Sequence, residues 1–269
     1  MNEACAFEIV FQPYIPMHWN TSSMKPETRI LRSASQPYFL EQPEPEENGM
    51  GKTALLLHGF TGGPYELEPL AAELERTGVR CVLPLLPWNG SQLEKTERVH
   101  WSDWVQAAEA EARQLASEAE PFDCIGFSMG GLLAAYIATR YPVRKLVLLN
   151  AAVIYVSPHF ARGFAERFRQ GDRSHWNKMR GTPFRATWQF TRLVKHLKPE
   201  LPKVTVPTLI AQSELDQVVH PLSARYLYGK LSGPRELRYF PKSSHMICQG
   251  PEAADLCRAV AHFLAKDQA

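Results

Sequence analysis

The pentapeptide Gly126-Phe127-Ser128-Met129-Gly130 constrains the fold more than any other stretch of this chain, because its flanks dictate a strand on one side and a helix on the other. Before it stands the short apolar run Phe122-Asp123-Cys124-Ile125. After it stands Gly131-Leu132-Leu133-Ala134-Ala135-Tyr136-Ile137-Ala138, a good helix former. A strand that turns sharply into a helix pushes the corner residue toward positive φ and lifts its hydroxyl clear of the sheet. The two elements then pass so closely that side chains at 126 and 130 would clash, and both positions are glycine. This is the physical content of a nucleophile elbow. The five-residue pattern alone also arises by chance as a glycine-rich turn, so the rest of the chain has to supply the context.

That context is an alternation of strands and helices. Thr53 to Leu57 reads as a fully apolar strand of the kind buried on both faces, and Pro64 to Thr77 as a helix with proline in its first turn and Gly78 as its stop. Val79 to Leu83, Lys145 to Asn150, Thr208 to Ala211 and Leu237 to Phe240 read as further strands, and Pro221 to Leu231 and Glu252 to Ala265 as helices. Trp101, Trp104, Val105, Ala108, Ala112, Leu115 and Ala119 recur at helical spacing, which marks a core-facing helix rather than a cofactor site. The expected fold class is α/β, with a mostly parallel sheet flanked by helices. The alternation breaks between about 155 and 200, where the sequence is aromatic, basic and helical in pattern. An insertion there follows a strand's C-terminal end and reads as a small cap over the site edge of the sheet. Residues 1–34, with scattered prolines and no sustained period, read as an N-terminal extension, with Met24 an alternative start; residues 35–269 form the expected domain.

An acyl-transferring serine needs a base, an acid that orients the base, and two N–H donors for the oxyanion. The chain offers them in the order Ser, Asp, His. Ser128 is the candidate nucleophile. Asp216 follows the strand Thr208–Ala211 and is preferred to its neighbour Glu214; Asp123 precedes the serine and stands in the wrong order. His245 lies in the loop Pro241-Lys242-Ser243-Ser244-His245, just before the terminal helix, and is the candidate base. His220 reads as a helix cap or surface residue, and His262, inside the terminal helix, as structural. The Met129 N–H, directly after the nucleophile, is one candidate oxyanion donor, and the Phe60 N–H, in His58-Gly59-Phe60-Thr61-Gly62-Gly63, is the other. His58 itself reads as a packed histidine that supports this loop.

Composition removes several classes. The net charge of +2 gives no reason to invoke nucleic acid, and no apolar run approaches the length of a membrane span. Five cysteines form no CxxC pair and no metal-like cluster with histidine, so a reducing, cytoplasmic setting is expected, and the acyl-serine chemistry itself requires neither metal nor organic cofactor. The stretch 155–200 carries ten basic against three acidic side chains, which reads first as a solvated helical face and second as a site for an anionic acyl substrate or a phospholipid surface. Phe160 and Phe164, with Phe168 at the same four-residue spacing, read either as an apolar underside facing an acyl chain or as the core contact of that helix, and Phe160, Phe164 and Trp88 are the candidate substrate-binding residues.

With Leu-Leu-Leu-His-Gly-Phe-Thr-Gly at 55–62, Trp-Ser-Asp-Trp at 101–104, Gly-Phe-Ser-Met-Gly-Gly at 126–131, Asp216-Gln-Val-Val and Ser244-His245, the chain resembles the bacterial carboxylesterase and monoacylglycerol-lipase group of the α/β-hydrolases. The likeness runs from about residue 36 to the C-terminus. It implies a Ser128–His245–Asp216 triad, oxyanion donors at Phe60 and Met129, a small helical cap, and hydrolysis of short- to medium-chain acyl or monoacylglycerol esters through an acyl-enzyme. The expected partner is a small-molecule ester, without stable membrane insertion; the oligomeric state is left open. Thioesterase, C–C hydrolase or lyase chemistry on the same triad is the alternative, and a non-catalytic binding protein the remote one. The chain departs from its relatives at Pro87-Trp88-Asn89-Gly90, where Gly-His-Gly is frequent, and this bears on one wall of the pocket.

Overall fold

The computed structural model describes residues 52–87, 100–118, 120–154 and 182–266. The expected extension at 1–34 and the first part of the expected cap, 155–181, lie outside the described residues. In chain order the elements are β1 (Thr53–Leu57), a 3-10 turn (Pro64–Glu66), α1 (Glu68–Arg76), β2 (Arg80–Val82), α2 (Trp101–Ala116), β3 (Phe122–Phe127), α3 (Met129–Ala138) and β4 (Val143–Leu149). They continue with α4 (Thr182–Leu197), a 3-10 stretch (Lys198–Lys203), β5 (Thr208–Ser213), α5 (Leu222–Lys230), β6 (Arg235–Phe240), a 3-10 turn (Ile247–Gln249) and α6 (Ala253–Ala265).

The strands form one sheet in the order β2-β1-β3-β4-β5-β6, and every pairing is parallel. The chain begins at β1, steps outward to β2 and then returns past β1 to β3. Between β1 and β3 the order reverses, and crevices for ligands open at such a point beyond the C-terminal strand ends. Side chains alternate across the sheet, and the core is divided accordingly. Leu55, Leu57, Cys124, Leu146, Leu148 and Ile210 pack toward α2, α3, α4 and α5. Ala54, Leu56, Ile125, Val147, Leu149 and Leu209 pack toward α1 and α6. Cys124 and Cys257 are both buried, as their sequence contexts predict.

The helix predicted over 64–77 is divided. Pro69 occupies the second position of α1, where its missing N–H costs nothing but its ring excludes a helical partner one turn back. The chain therefore makes a 3-10 turn at Pro64–Glu66 and restarts as an α-helix at Glu68. Gly78, at φ 82°, ends it as expected. β4 and β6 each begin two residues before the predicted start, because Arg144, Arg235 and Glu236 belong to the ladder although they look like loop. Among the described strands β6 lies at one edge of the sheet, where partly exposed charged side chains suit an outer strand. The buried Lys145 donates from Nζ to the carbonyls of Phe263 (2.7 Å) and Leu264 (3.3 Å), a cation at the C-terminal end of α6. Among the described residues no helix is long and apolar enough to cross a membrane.

Candidate active site

Ser128 joins β3 to α3 with φ 54° and ψ −115°, a conformation that costs a non-glycine residue about 1–3 kcal/mol. The corner is held from three sides: the Ser128 N–H donates to Leu149 O (2.9 Å), and its carbonyl accepts from Gly131 (3.1 Å) and Ala152 (3.1 Å). A β-carbon at 126 would lie 2.2 Å from Gly130 O, and one at 130 would lie 1.9 Å from Leu57 O. Both glycines are thus required by close backbone approach. The serine is buried at the floor of the C-terminal sheet edge, 6% exposed.

Asp216 stands in the turn that follows β5. Its Oδ1 accepts from the Val218 and Val219 N–H groups, both at 2.8 Å, and its Oδ2 accepts from His245 Nδ1 at 2.8 Å. Two backbone bonds fix the carboxylate, and the third fixes the imidazole as the tautomer whose Nε2 is an acceptor. The His245 loop follows β6, and the ring packs on Phe127, the residue before Ser128, with centroids 4.9 Å apart. The structure thus joins Asp216 to His245 and sets the ring beside the elbow. Among the described residues no direct hydrogen bond links His245 to Ser128.

The competing groups fall elsewhere. Glu214 is exposed, and Asp123 lies in the first half of β3, away from Ser128, paired with Arg144. Burial pushes the Asp123 carboxyl up, against the charge of Arg144. His220 accepts from the Leu222 N–H (3.1 Å) at the head of α5, and His262 is exposed on α6.

The loop after β1 carries a second strained residue, Thr61, at φ 59°. Among the described residues no hydrogen bond takes up the N–H of Phe60 or of Met129. The Phe60 ring meets Trp104 edge-on (5.6 Å) and stacks on Phe190 of α4 (5.2 Å), which makes one wall apolar and aromatic. Trp104 donates its indole N–H to Pro87 O at 2.8 Å, while Trp101 stacks on His196 of α4 at 4.1 Å. The predicted helix of tryptophans is therefore core on one side and an anchor for α4 on the other. His58 is packed beneath the loop: its Nδ1–H donates to Gly59 O (2.9 Å) and its Nε2 accepts from the Leu86 N–H (2.9 Å). Trp88, Phe160 and Phe164 lie outside the described residues.

A sequence profile of the alpha/beta hydrolase family matches residues 54–257. The chain belongs to this family. It is 28% identical over 248 residues to a thermostable monoacylglycerol lipase of Bacillus sp. (strain H-257), covering 87% of this chain and 96% of that protein. It is 22% identical over 231 residues to a carboxylesterase of Bacillus subtilis (strain 168), covering 81% of this chain and 94% of that one. In fold it is similar to a structure of the metagenome-derived lipolytic enzymes LipS and LipT, with a TM-score of 0.67 and 24% identity over 80% of this chain and 95% of the other.

Two residues of this alpha/beta hydrolase escape motif reasoning. Asn150, fully buried at the end of β4 with φ 45°, donates from Nδ2 to His245 O (2.8 Å) and Ser213 Oγ (3.0 Å) and accepts at Oδ1 from Ser213 N–H (2.7 Å). It ties the histidine loop to two strand ends. Its signal in the sequence is a lone amide that closes an apolar strand. Glu66 lies buried under the loop 59–63 and accepts from the Gly59 N–H at 2.8 Å. In the sequence it looks like an ordinary charge near the start of a helix.

Proposed function

We propose that the protein is a serine carboxylesterase that hydrolyses short- to medium-chain acyl or monoacylglycerol esters through an acyl-enzyme. The observation that carries this reading is the 2.8 Å hydrogen bond from His245 Nδ1 to the buried Asp216 carboxylate, on the same sheet edge as the strained Ser128. Ser128 Oγ attacks the ester carbonyl while His245 Nε2 takes its proton. The Asp216 carboxylate, through its Oδ2 bond to Nδ1, stabilises the imidazolium. The oxyanion is held by the Phe60 and Met129 N–H groups, which no hydrogen bond among the described residues takes up. His245 then delivers its proton to the leaving alkoxide oxygen, and the alcohol departs. Water, deprotonated by the same ring, attacks the acyl-enzyme, and Ser128 recovers its proton as the acid leaves.

The substrate class is supported by the names of the two Bacillus relatives and by the aromatic wall of Phe60, Trp104 and Phe190, which suits an acyl chain. In this reading residues 155–200 are a cap insertion of a domain spanning 35–269, and the packing of Phe190 and His196 of α4 on Phe60 and Trp101 supports it. Free thiols at Cys81, Cys124, Cys248 and Cys257 support a reducing, cytoplasmic setting.

The test is hydrolysis of p-nitrophenyl esters from acetyl to dodecanoyl by the protein and by Ser128→Ala. Turnover is expected to fall by a factor of about 10³ or more in the variant, with a rate maximum at short or medium chain length. A folded Ser128→Ala variant that keeps the parent rate refutes the reading.

A further inference from the structure

We propose that Glu66 is a positioning residue for the oxyanion loop, its carboxylate filling the inside of the turn Gly59–Gly63 and clamping Gly59 so that the next N–H, that of Phe60, faces the reacting carbonyl. The inference rests on the reading of Ser128 as nucleophile and adds a residue that reading does not require.

The loop is built around this carboxylate. Glu66 is 8% exposed, and its Oε2 accepts from the Gly59 N–H at 2.8 Å. A β-carbon at Gly62 would lie 2.2 Å from Oε2, and one at Gly59 would lie 3.1 Å from it. The glycines of the loop therefore make room for a side chain as well as permitting a turn. On the other side of the same residue, Gly59 O accepts from His58 Nδ1–H (2.9 Å) and from the Gly62 N–H (3.3 Å). The carbonyl of Gly59 and the N–H of Phe60 belong to one planar trans peptide and point in opposite directions. Fixing Gly59 at its N–H and at its carbonyl thus fixes where the Phe60 N–H points.

The loop needs such a hold, because Thr61 next to Phe60 sits at φ 59° and relaxes if released. A buried carboxylate is a costly filler that an apolar side chain would replace if only space had to be filled. Burial pushes the Glu66 carboxyl up, while the Gly59 N–H, the ring of His245 and the Gly63 backbone favour its charged form. In the 3-10 turn Ile247–Gln249, the buried Cys248 thiol is pushed up by burial and, to a lesser extent, by the Cys257 thiol and by the charge of Glu66.

Three variants of the full chain test the clamp. Glu66→Ala removes the acceptor, Glu66→Asp keeps the charge but is one methylene too short to reach Gly59, and Glu66→Gln keeps an oxygen of the same reach. In Ala and Asp, kcat for p-nitrophenyl butyrate is expected to fall by about 10- to 100-fold, less than the loss of a whole oxyanion donor, with KM within about threefold. The inhibition constant of a trifluoromethyl ketone, whose adduct occupies the oxyanion hole, should rise by the same factor as kcat falls. Glu66→Gln should stay within about fivefold of the parent. Where Glu66→Ala does not fold, Glu66→Asp with a parent-like thermal melt decides. A folded Ala or Asp variant with parent kcat and parent ketone affinity overturns the clamp, as does a Gln variant as impaired as Ala. Labelling of the unaltered protein by a fluorophosphonate, located by peptide mapping, separates the two levels. Labelling at Ser128 with an unaffected Glu66 variant removes the clamp alone; no labelling and no turnover removes the underlying reading and the clamp with it.

Discussion

Acid should destabilise this protein through one imidazole in particular, that of His58. The ring is 2% exposed and both nitrogens are committed, Nδ1–H to Gly59 O at 2.9 Å and Nε2 as acceptor from the Leu86 N–H at 2.9 Å. A second proton would set an N–H against an N–H in an apolar surrounding. Burial accordingly pushes its pKa from 6.5 down to about 4, against the Gly59 carbonyl, which favours the charged ring. In the unfolded chain the same ring titrates near its ordinary value. Between the two values the unfolded state holds a proton that the folded state refuses, so stability falls as pH falls through about 6.5, and the loss levels off below about 4. The gap of about 2.5 pH units corresponds to about 3.4 kcal/mol in full, of which about 2 kcal/mol is lost by about pH 5. Urea unfolding at about pH 7.5 and about pH 5 measures it, with His58→Gln as the comparison. Whatever its stability at the higher pH, the variant should lose about 2 kcal/mol less than the parent between the two. Equal losses, or a ring proton of His58 that titrates near 6.5 by NMR, would refute the reasoning.

Three further substitutions probe the scaffold of the site. Gly130→Ala drives a β-carbon to 1.9 Å from Leu57 O, a backbone atom that cannot move without β1, and should cost about 4 kcal/mol or more; a parent-like melting temperature would show that the elbow packs more loosely. Asn150→Ala strips partners from His245 O, Ser213 Oγ and the Ser213 N–H, so urea melts should show a loss of about 2–3 kcal/mol, and kcat should fall with it as the histidine loop loosens. Arg144→Met leaves the buried Asp123 carboxylate without its cation and should cost about 3 kcal/mol. Adding Asp123→Leu should restore part of that loss, and a double variant less stable than the single one would exclude the pairing as the cause.

How much of this was legible in the sequence depended on whether a residue acts through its neighbours in the chain or through distant ones. The elbow, the strand over 53–57 and the relation of Asp216 to the end of β5 are local, and periodicity with glycine spacing exposed them. The break in the first helix was less visible, because Pro64 already serves as a first-turn proline, and Pro69, too far in to be tolerated by a helix begun there, marks instead a restart at Glu68. The starts of β4 and β6 were hidden by Arg144 and Arg235, charges that a pattern search assigns to loops but that an edge or a buried ion pair accommodates. Asn150 and Glu66 were harder to read for a different reason. Asn150 meets Ser213 and His245 only once β4, β5 and the histidine loop stand side by side, and Glu66 meets Gly59 only once the intervening turn folds back on itself.

The non-glycine residues held at positive φ among those described, Thr61, Ser128 and Asn150, follow β1, β3 and β4, so the backbone strain gathers at adjoining ends of the sheet. Anyone engineering the protein for heat tolerance therefore has two kinds of site. Relaxing Thr61 to glycine would relieve on the order of 1 kcal/mol, but in the loop that carries Phe60, and a higher melting point gained there comes with slower turnover. Gly229, inside α5 with open space where a β-carbon would stand, lies far along the chain from those strand ends. Alanine there offers about 1 kcal/mol of helix propensity and leaves the working edge as it was.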